Sequence, residues 1–219
     1  MMTKASSLRE ALKLYFVIGS VNCRTDPVAV LEESLKGGVT CFQFREKGEG
    51  ALGPNKAELA KELQKICKRY GVPFFVNDDL ELMETLDADG LHIGQEDGDI
   101  PSTRSRIAGK ILGVSVHNLA EAQKAVRIGA DYVGVGPIYP TETKKDTREV
   151  AGTRIIQMFR SGGIALPMVG IGGIQHGNAG AVIRSGADGI AVISAISLSD
   201  SPRQAAQALK REVNGLGQH

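Results

Sequence analysis

Short apolar runs and longer stretches with a 3.6-residue period alternate along the chain. The runs are YFVIG from Tyr15, TCFQFRE from Thr40, PFFVN from Pro73, GLHIG from Gly90, ILGVSV from Ile111, YVGVG from Tyr132, PMVGIGG from Pro167 and GIAVIS from Gly189. Most are continuous rather than alternating, the pattern of strands covered on both faces in a parallel sheet. Between them lie amphipathic stretches. Asp26-Pro27 opens one: an N-cap acceptor precedes a residue whose fixed φ suits the first helical turn. Val28, Leu31 and Leu35 then share a face, and Gly37-Gly38 closes it. Others cover 55–70, 80–86, 119–128, 154–160, 178–185 and 202–213, with a weaker one at 100–108. A first helix at 7–13 precedes the first strand.

The chain also echoes itself. Ala88-Asp89-Gly90, Ala130-Asp131-Tyr132 and Ala187-Asp188-Gly189 each follow a helical stretch and introduce a strand, and Gly38-Val39-Thr40 holds the matching place in the second unit. Repetition at a fixed structural period implies a modular fold. Eight units in 219 residues leave about 27 residues each, with no linker or charge block between them. The expectation is one domain over 1–219, an α/β (β/α)8 TIM barrel with a short extra N-terminal helix; a doubly wound open sheet is the alternative.

Composition narrows the function more than the fold. Lys and Arg number 26 against 25 Asp and Glu, so no overall field favours nucleic acid or an anionic membrane. No apolar run reaches the roughly 18 residues of a membrane span, and the N-terminus lacks a signal-length apolar stretch. Cys23, Cys41 and Cys67 are odd in number and lack C-x-x-C spacing, which argues against a disulfide framework or a zinc site; Cys41 reads as a core residue. A soluble, cytoplasmic protein acting on small molecules is expected, with oligomeric state open. Glycine is frequent, 27 of 219 residues, which implies many tight turns or backbone that must approach something closely.

In such a barrel the active site forms where strands end and the following loops begin. The second run ends Gln43-Phe44-Arg45-Glu46-Lys47. Alternation points Gln43, Arg45 and Lys47 one way and Phe44 the other. Two cations and an amide on one face suit a dianionic ligand, because Arg can fork onto phosphate oxygens. The plainer reading is a solvated salt bridge with Glu46. The third run ends Asn77-Asp78-Asp79, and Asp97 follows the fourth. Asp78 and Asp97 at adjacent strand ends suit Mg²⁺, which takes one or two carboxylates together with substrate phosphate oxygens. Asp79 suits a helix N-cap. Ser115, in the fifth run, can donate to a ligand; His117 serves as an orienting or capping group, and His92, mid-strand, as barrel packing. The sixth run leads into a long polar loop in which Thr141, Thr143 and Lys144 form an anion grip, unless the loop is plain surface. Gly172 and Gly173 after the seventh run, and Ile193 and Ser194 in the eighth, offer bare backbone N–H groups to a phosphate. Two anion-binding areas imply two phosphorylated substrates, or one phosphorylated at both ends.

QFREK, VNDD, GLHIGQED, GVSVH, GADYVGVGPIYPTETKKD, VGIGGI and GADGIAVISAI together resemble the thiamine phosphate synthase family, in order and spacing, from Tyr15 to about Ile196. The resemblance implies a transferase that joins a pyrimidine methyl diphosphate to a carboxylated or plain thiazole phosphate and releases pyrophosphate. It further implies that Gln43, Phe44, Arg45, Glu46, Lys47 and Asn77 bind the pyrimidine substrate, with Ser115 and Lys144 also on its diphosphate. Asp78 and Asp97 hold Mg²⁺. Thr141, Glu142 and Thr143 bind the thiazole phosphate, Glu142 through backbone alone, and Gly173, Ile193 and Ser194 take its phosphate. Arg45, Lys47, Ser115 and Lys144 would be the catalytic set. Competing readings are a thiazole tautomerase, a non-catalytic regulator on the same barrel, and a phosphosugar isomerase or epimerase.

Overall fold

The computed structural model describes residues 4–141 and 149–215. Eight strands, β1 (Leu14–Ile18), β2 (Cys41–Phe44), β3 (Phe74–Asn77), β4 (Gly90–Ile93), β5 (Ile111–Val116), β6 (Tyr132–Val135), β7 (Met168–Ile171) and β8 (Gly189–Val192), pair in sequence order, all parallel. β8 returns to β1 and closes the barrel, with Leu14 opposite Ile190. Helices α1 (Lys4–Ala11), α2 (Pro27–Lys36), α3 (Lys56–Tyr70), α4 (Leu80–Thr85), α5 (Ile100–Arg106), α6 (Leu119–Ile128), α7 (Arg154–Ser161) and α8 (Ala179–Arg184) precede the eight strands in turn, and α9 (Ser194–Ser197) and α10 (Pro202–Asn214) follow β8. The barrel is therefore the closed form, and the open sheet is excluded.

Local chemistry sets the helix limits. Asp26 accepts from the amides of Val28 and Ala29, Asp79 from Leu82, Asp99 from Ser102 and Asn118 from Glu121, so each orphaned first turn has a side-chain partner. Gly71 and Gly129 end α3 and α6 in the left-handed conformation, at φ 66° and 82°. α1 lies earlier than the periodicity predicts: Leu12 and Lys13 leave the helix to deliver Leu14, fully buried, to β1. α9 follows β8 directly, a short helix that the apolar run concealed.

Outward positions of the first three strands form a row of buried rings, Phe16 against Phe42 at 6.2 Å and Phe42 against Phe74 at 5.7 Å. Inward positions hold Tyr15, Phe75 and Tyr132, with centroids 5.9–6.0 Å apart. The barrel is thus a packed core and not a pore. Cys41 and Cys67 are buried within it, and no cysteine is bonded to another. Among the described residues no helix is long and apolar enough to cross a membrane.

The internal echo has a physical basis at the end of the barrel where strands begin. The residue before each even strand forms a reciprocal pair with the preceding odd strand. The amides of Thr40, Asp89, Asp131 and Asp188 donate to the carbonyls of Leu14, Phe74, Leu112 and Met168 at 2.8–3.0 Å. The side chains of the same four residues accept the amides of the same four partners at 2.8–2.9 Å. Each pair satisfies a strand-end donor that the ladder leaves unused. Arg104 then reaches Asp131 at 2.9 Å and Arg160 reaches Asp188 at 2.6 Å. Arg9 of α1 also pairs with Asp188 and donates to the carbonyl of Ala165, which fixes α1 across this end.

Candidate active site

The opposite end of the barrel, where the strands finish, holds a cavity of about 650 Å³. Ser115, Thr141, Gly173, Ile193 and Ser194 line it, together with His117 and Pro140. A smaller depression continues into the barrel interior and is lined by Gln43, Arg45, Asn77 and His92. The two share Gly134, Ile171, Ala191 and Ile193, so they are neighbouring parts of one concavity. β2 supplies Gln43 and its extension Arg45, β3 supplies Asn77, and β5 supplies Ser115, all from inward positions. Glu142, Thr143 and Lys144 lie outside the described residues.

Arg45 lines the interior without an acidic partner among the described residues. The expected alternative, a salt bridge to Glu46, is not what the structure contains. Glu46 instead accepts from the amide and hydroxyl of Ser20, at 2.7 and 2.5 Å, and from the amide of Leu52 at 3.1 Å. Its carboxylate ties together the loops after β1 and β2, and neither Glu46 nor the outward, buried Phe44 lines the concavity.

Lys47 reaches two carboxylates at once, Asp78 and, at 3.4 Å, Asp97. Asp78 sits at φ 60°, a left-handed conformation uncommon outside glycine and tolerated best by Asp and Asn. Its amide donates to the carbonyl of His92 at 2.8 Å, and Asn77 donates to its carboxylate at 2.5 Å. Asp97 accepts from the amide of Gly94 at 2.8 Å, and a Cβ on Gly94 would fall 2.6 Å from the same oxygen. Burial, with the neighbouring Asp97, pushes the Asp78 carboxyl above its ordinary range against the pull of Lys47. Burial acts on Asp97 too, but hydrogen bonds from Asp78 and the Gly94 amide, with Lys47, hold it below the usual range. Two adjacent carboxylates, one of which resists ionising, form a place short of positive charge. That donor set fits a hard divalent cation completed by phosphate oxygens, with Lys47 standing where the cation charge is needed. Among the described residues no three His, Cys, Asp or Glu side chains converge, so the protein offers two ligands and no closed cage. Asp79 is spent on capping α4 and pairing with Lys56, in line with its reading as an N-cap.

The glycines after β7 are required by packing as well. Gly172 and Gly173 adopt φ 98° and 63°, and a Cβ there would lie 2.7 Å from Pro137 Cβ and 2.4 Å from the carbonyl oxygen of Pro140. Their lack of a side chain serves the close approach of 137–140, which is fixed by Ile138 and Tyr139 amides donating to Ile171 and Gly172. The amides of Gly173 and Ser194 nevertheless donate to no protein acceptor among the described residues. Asn178 secures this loop by donating to the Gly173 carbonyl at 3.1 Å and accepting from Gln175 at 2.9 Å.

The sequence placed His92 in the barrel but did not show its partners. Gln43 Nε2 donates to the Tyr15 hydroxyl at 2.6 Å, Tyr15 meets the Tyr132 hydroxyl at 2.8 Å, and Tyr132 meets His92 Nδ1 at 2.9 Å. His92 Nε2 lies 2.9 Å from Ser115 Oγ. Burial pushes both phenols well above their ordinary pKa, so they stay protonated. The one signal in the sequence was parity: Tyr15, Gln43, His92, Ser115 and Tyr132 all occupy inward strand positions. His117 donates its amide to Glu121 at 2.8 Å and holds the same carboxylate through Nδ1 at 3.0 Å, an orienting contact at the cavity edge.

Comparison with known proteins shows the family. The model of a family described as thiamine monophosphate synthase matches residues 14–196. A thiamine-phosphate synthase of Bacillus cereus is 56% identical over 207 residues, 94% of each chain. One from Bacillus mycoides is 55% identical over 214 residues, 97% of each. The solved structure of a thiamine phosphate pyrophosphorylase from Pyrococcus furiosus superimposes with a TM-score of 0.85 at 34% identity, covering 96% of this chain and 99% of that one. The barrel, the concavity at its strand ends and these matches agree: the chain belongs to the thiamine monophosphate synthase family.

Proposed function

We propose that the protein is a transferase that joins a pyrimidine methyl diphosphate to a thiazole phosphate, giving thiamine phosphate and pyrophosphate. The observation that supports this most directly is that Arg45, with no acidic partner among the described residues, shares one concavity with Gly173 and Ser194, whose amides meet no acceptor among the described residues, while Lys47 is shared by Asp78 and Asp97 at the ends of β3 and β4. It is what two separate phosphate-bearing substrates need. A tautomerase acting on the thiazole alone has no use for the first half, and an isomerase needs an acid–base pair around one phosphate.

In this reading Gln43 and Asn77 hold the pyrimidine, with any contact at Phe44 or Glu46 made by backbone. Arg45, Lys47, Ser115 and Lys144 engage the diphosphate. Thr141, the backbone of Glu142 and Thr143 hold the thiazole phosphate, whose anionic oxygens meet the amides of Gly173, Ile193 and Ser194. Asp78 and Asp97 would hold Mg²⁺. Bound there, Mg²⁺ supplies charge neutralisation at the diphosphate. The C–O bond to the diphosphate breaks, and pyrophosphate departs with the electron pair. The amino-substituted ring stabilises the methylene cation left behind, and the thiazole nitrogen supplies the pair for the new C–N bond. CO₂ leaves as well when the thiazole is carboxylated. The residues act by positioning and by stabilising developing charge, and no protein nucleophile is required. Mixing the two substrates with and without Mg²⁺, and measuring pyrophosphate and thiamine phosphate, tests the reading. Metal-dependent formation of both products is expected; their absence in every condition overturns it.

A further inference from the structure

The hydrogen-bonded chain through the barrel interior has a direction, and donor and acceptor counting fixes it. Gln43 Nε2 donates to the Tyr15 oxygen. If Tyr132 also donated there, the Tyr15 proton would have no acceptor, in a side chain that is 2% exposed. A buried donor without a partner costs roughly 1–3 kcal/mol, so Tyr15 donates to Tyr132. The Tyr132 proton then goes to the lone pair of His92 Nδ1. A neutral imidazole accepting at Nδ1 carries its proton on Nε2, and that proton is donated to Ser115 Oγ. With its oxygen already accepting, the Ser115 hydroxyl turns its own hydrogen away from His92, toward the cavity that Ser115 lines.

Two glycines make room for this chain. A Cβ on Gly113 would lie 2.1 Å from Tyr132 Cζ, inside the ring's own position. A Cβ on Gly134 would lie 3.1 Å from His92 Cε1 and 4.0 Å from Ser115 Oγ. Gln95 fixes the other side of the serine by donating to its carbonyl at 2.7 Å.

We infer that His92 is a positioning residue for the transfer reaction: set as the Nε2–H tautomer by Tyr132 and Tyr15, it holds Ser115 with its hydroxyl hydrogen directed at an anionic oxygen of the departing diphosphate. The inference rests on the reading of Ser115 as a diphosphate contact. Both ring nitrogens of His92 are engaged, Nδ1 with Tyr132 and Nε2 with Ser115. Its effect reaches the reaction through one rotor, because a hydroxyl held as acceptor from behind no longer samples the orientations that lose the forward bond.

A double-mutant cycle separates this from a packing role. His92→Phe is expected to lower kcat roughly 10- to 100-fold while the KM for both substrates stays within about three-fold, the pattern of a group misplaced in the transition state. His92→Gln, which retains a donor on the side of Ser115, is expected to recover most of that loss. Ser115→Ala should lower kcat by a similar factor, and His92→Phe added to it should cost little more, since both act through one hydroxyl. Losses that multiply in the double variant overturn the inference and leave the reading of the site intact. Wild-type turnover in Ser115→Ala overturns the reading on which it rests. On the unmodified protein, ¹⁵N NMR of labelled histidine should show a protonated Nε2 and a bare Nδ1 for the resonance missing in His92→Gln. The opposite tautomer overturns the inference without any need for an active variant.

Discussion

Both ends of the barrel carry aspartates at strand ends, and the two sets live under opposite rules. At the end where strands begin, Asp89, Asp131 and Asp188 each accept a strand amide, and Asp131 and Asp188 also meet an Arg at 2.9 and 2.6 Å. At the end where strands finish, Asp78 holds a left-handed backbone and shares one lysine with Asp97, and burial resists its ionisation. The first set closes hydrogen bonds that folding requires. The second shares one lysine between two carboxylates, where on the proposed reading a cation and a phosphorylated substrate would bind. Barrel enzymes separate stability and chemistry by end in this way, and here one residue type serves both.

That contrast can be broken experimentally. Removing divalent metal with a chelator is expected to abolish product formation while leaving the melting temperature unchanged, because the core and strand ladder do not depend on the metal; activity restored by Mg²⁺ addition completes the check. Asp78→Asn should lower turnover by at least about 10²-fold with little loss of stability, since it removes an anionic ligand while Asn tolerates the left-handed backbone at φ 60°. Steady-state rates and thermal melts together decide this, and near-normal turnover at saturating Mg²⁺ removes Asp78 from the metal site. Asp188→Ala should do the reverse. It strands the Met168 amide and removes the carboxylate shared by Arg9 and Arg160, which costs about 2–4 kcal/mol in denaturant unfolding, while kcat of the folded fraction holds. Asp131→Asn is the mildest test. The amide oxygen still accepts from Leu112, and only the charge facing Arg104 is lost, so about 1 kcal/mol is expected by the same measurement.

Strand order and most helix limits were legible because they follow from local pattern: continuous apolar runs, Asp26-Pro27 as a start, Gly37-Gly38 as a stop. The repeated Ala-Asp motif was legible as a repeat but not as a reciprocal pair, since Asp89, just before β4, meets Phe74 of β3. The shared facing of Gln43 and Arg45 followed from strand alternation; Lys47, expected on the same face, lines neither part of the concavity and pairs instead with Asp78 and Asp97. The engagement of Glu46 with Ser20, the approach of Pro140 to Gly173 and the chain from Gln43 to Ser115 did not follow from alternation, because each depends on contacts between units far apart in the chain.

Residue type and spacing by themselves determined that this chain forms eight β/α units and that cations, carboxylates and small residues collect at the ends of the strands. Period and capping are local properties, so they can be read one segment at a time. Barrel closure decided the rest. It set Tyr15 against Tyr132, 117 positions apart, and with them the proton order that ends at Ser115. It brought Lys47 between carboxylates from the ends of β3 and β4. Hydrogen-bond direction and charge balance are properties of a surrounded group, and only the folded barrel supplies the surroundings.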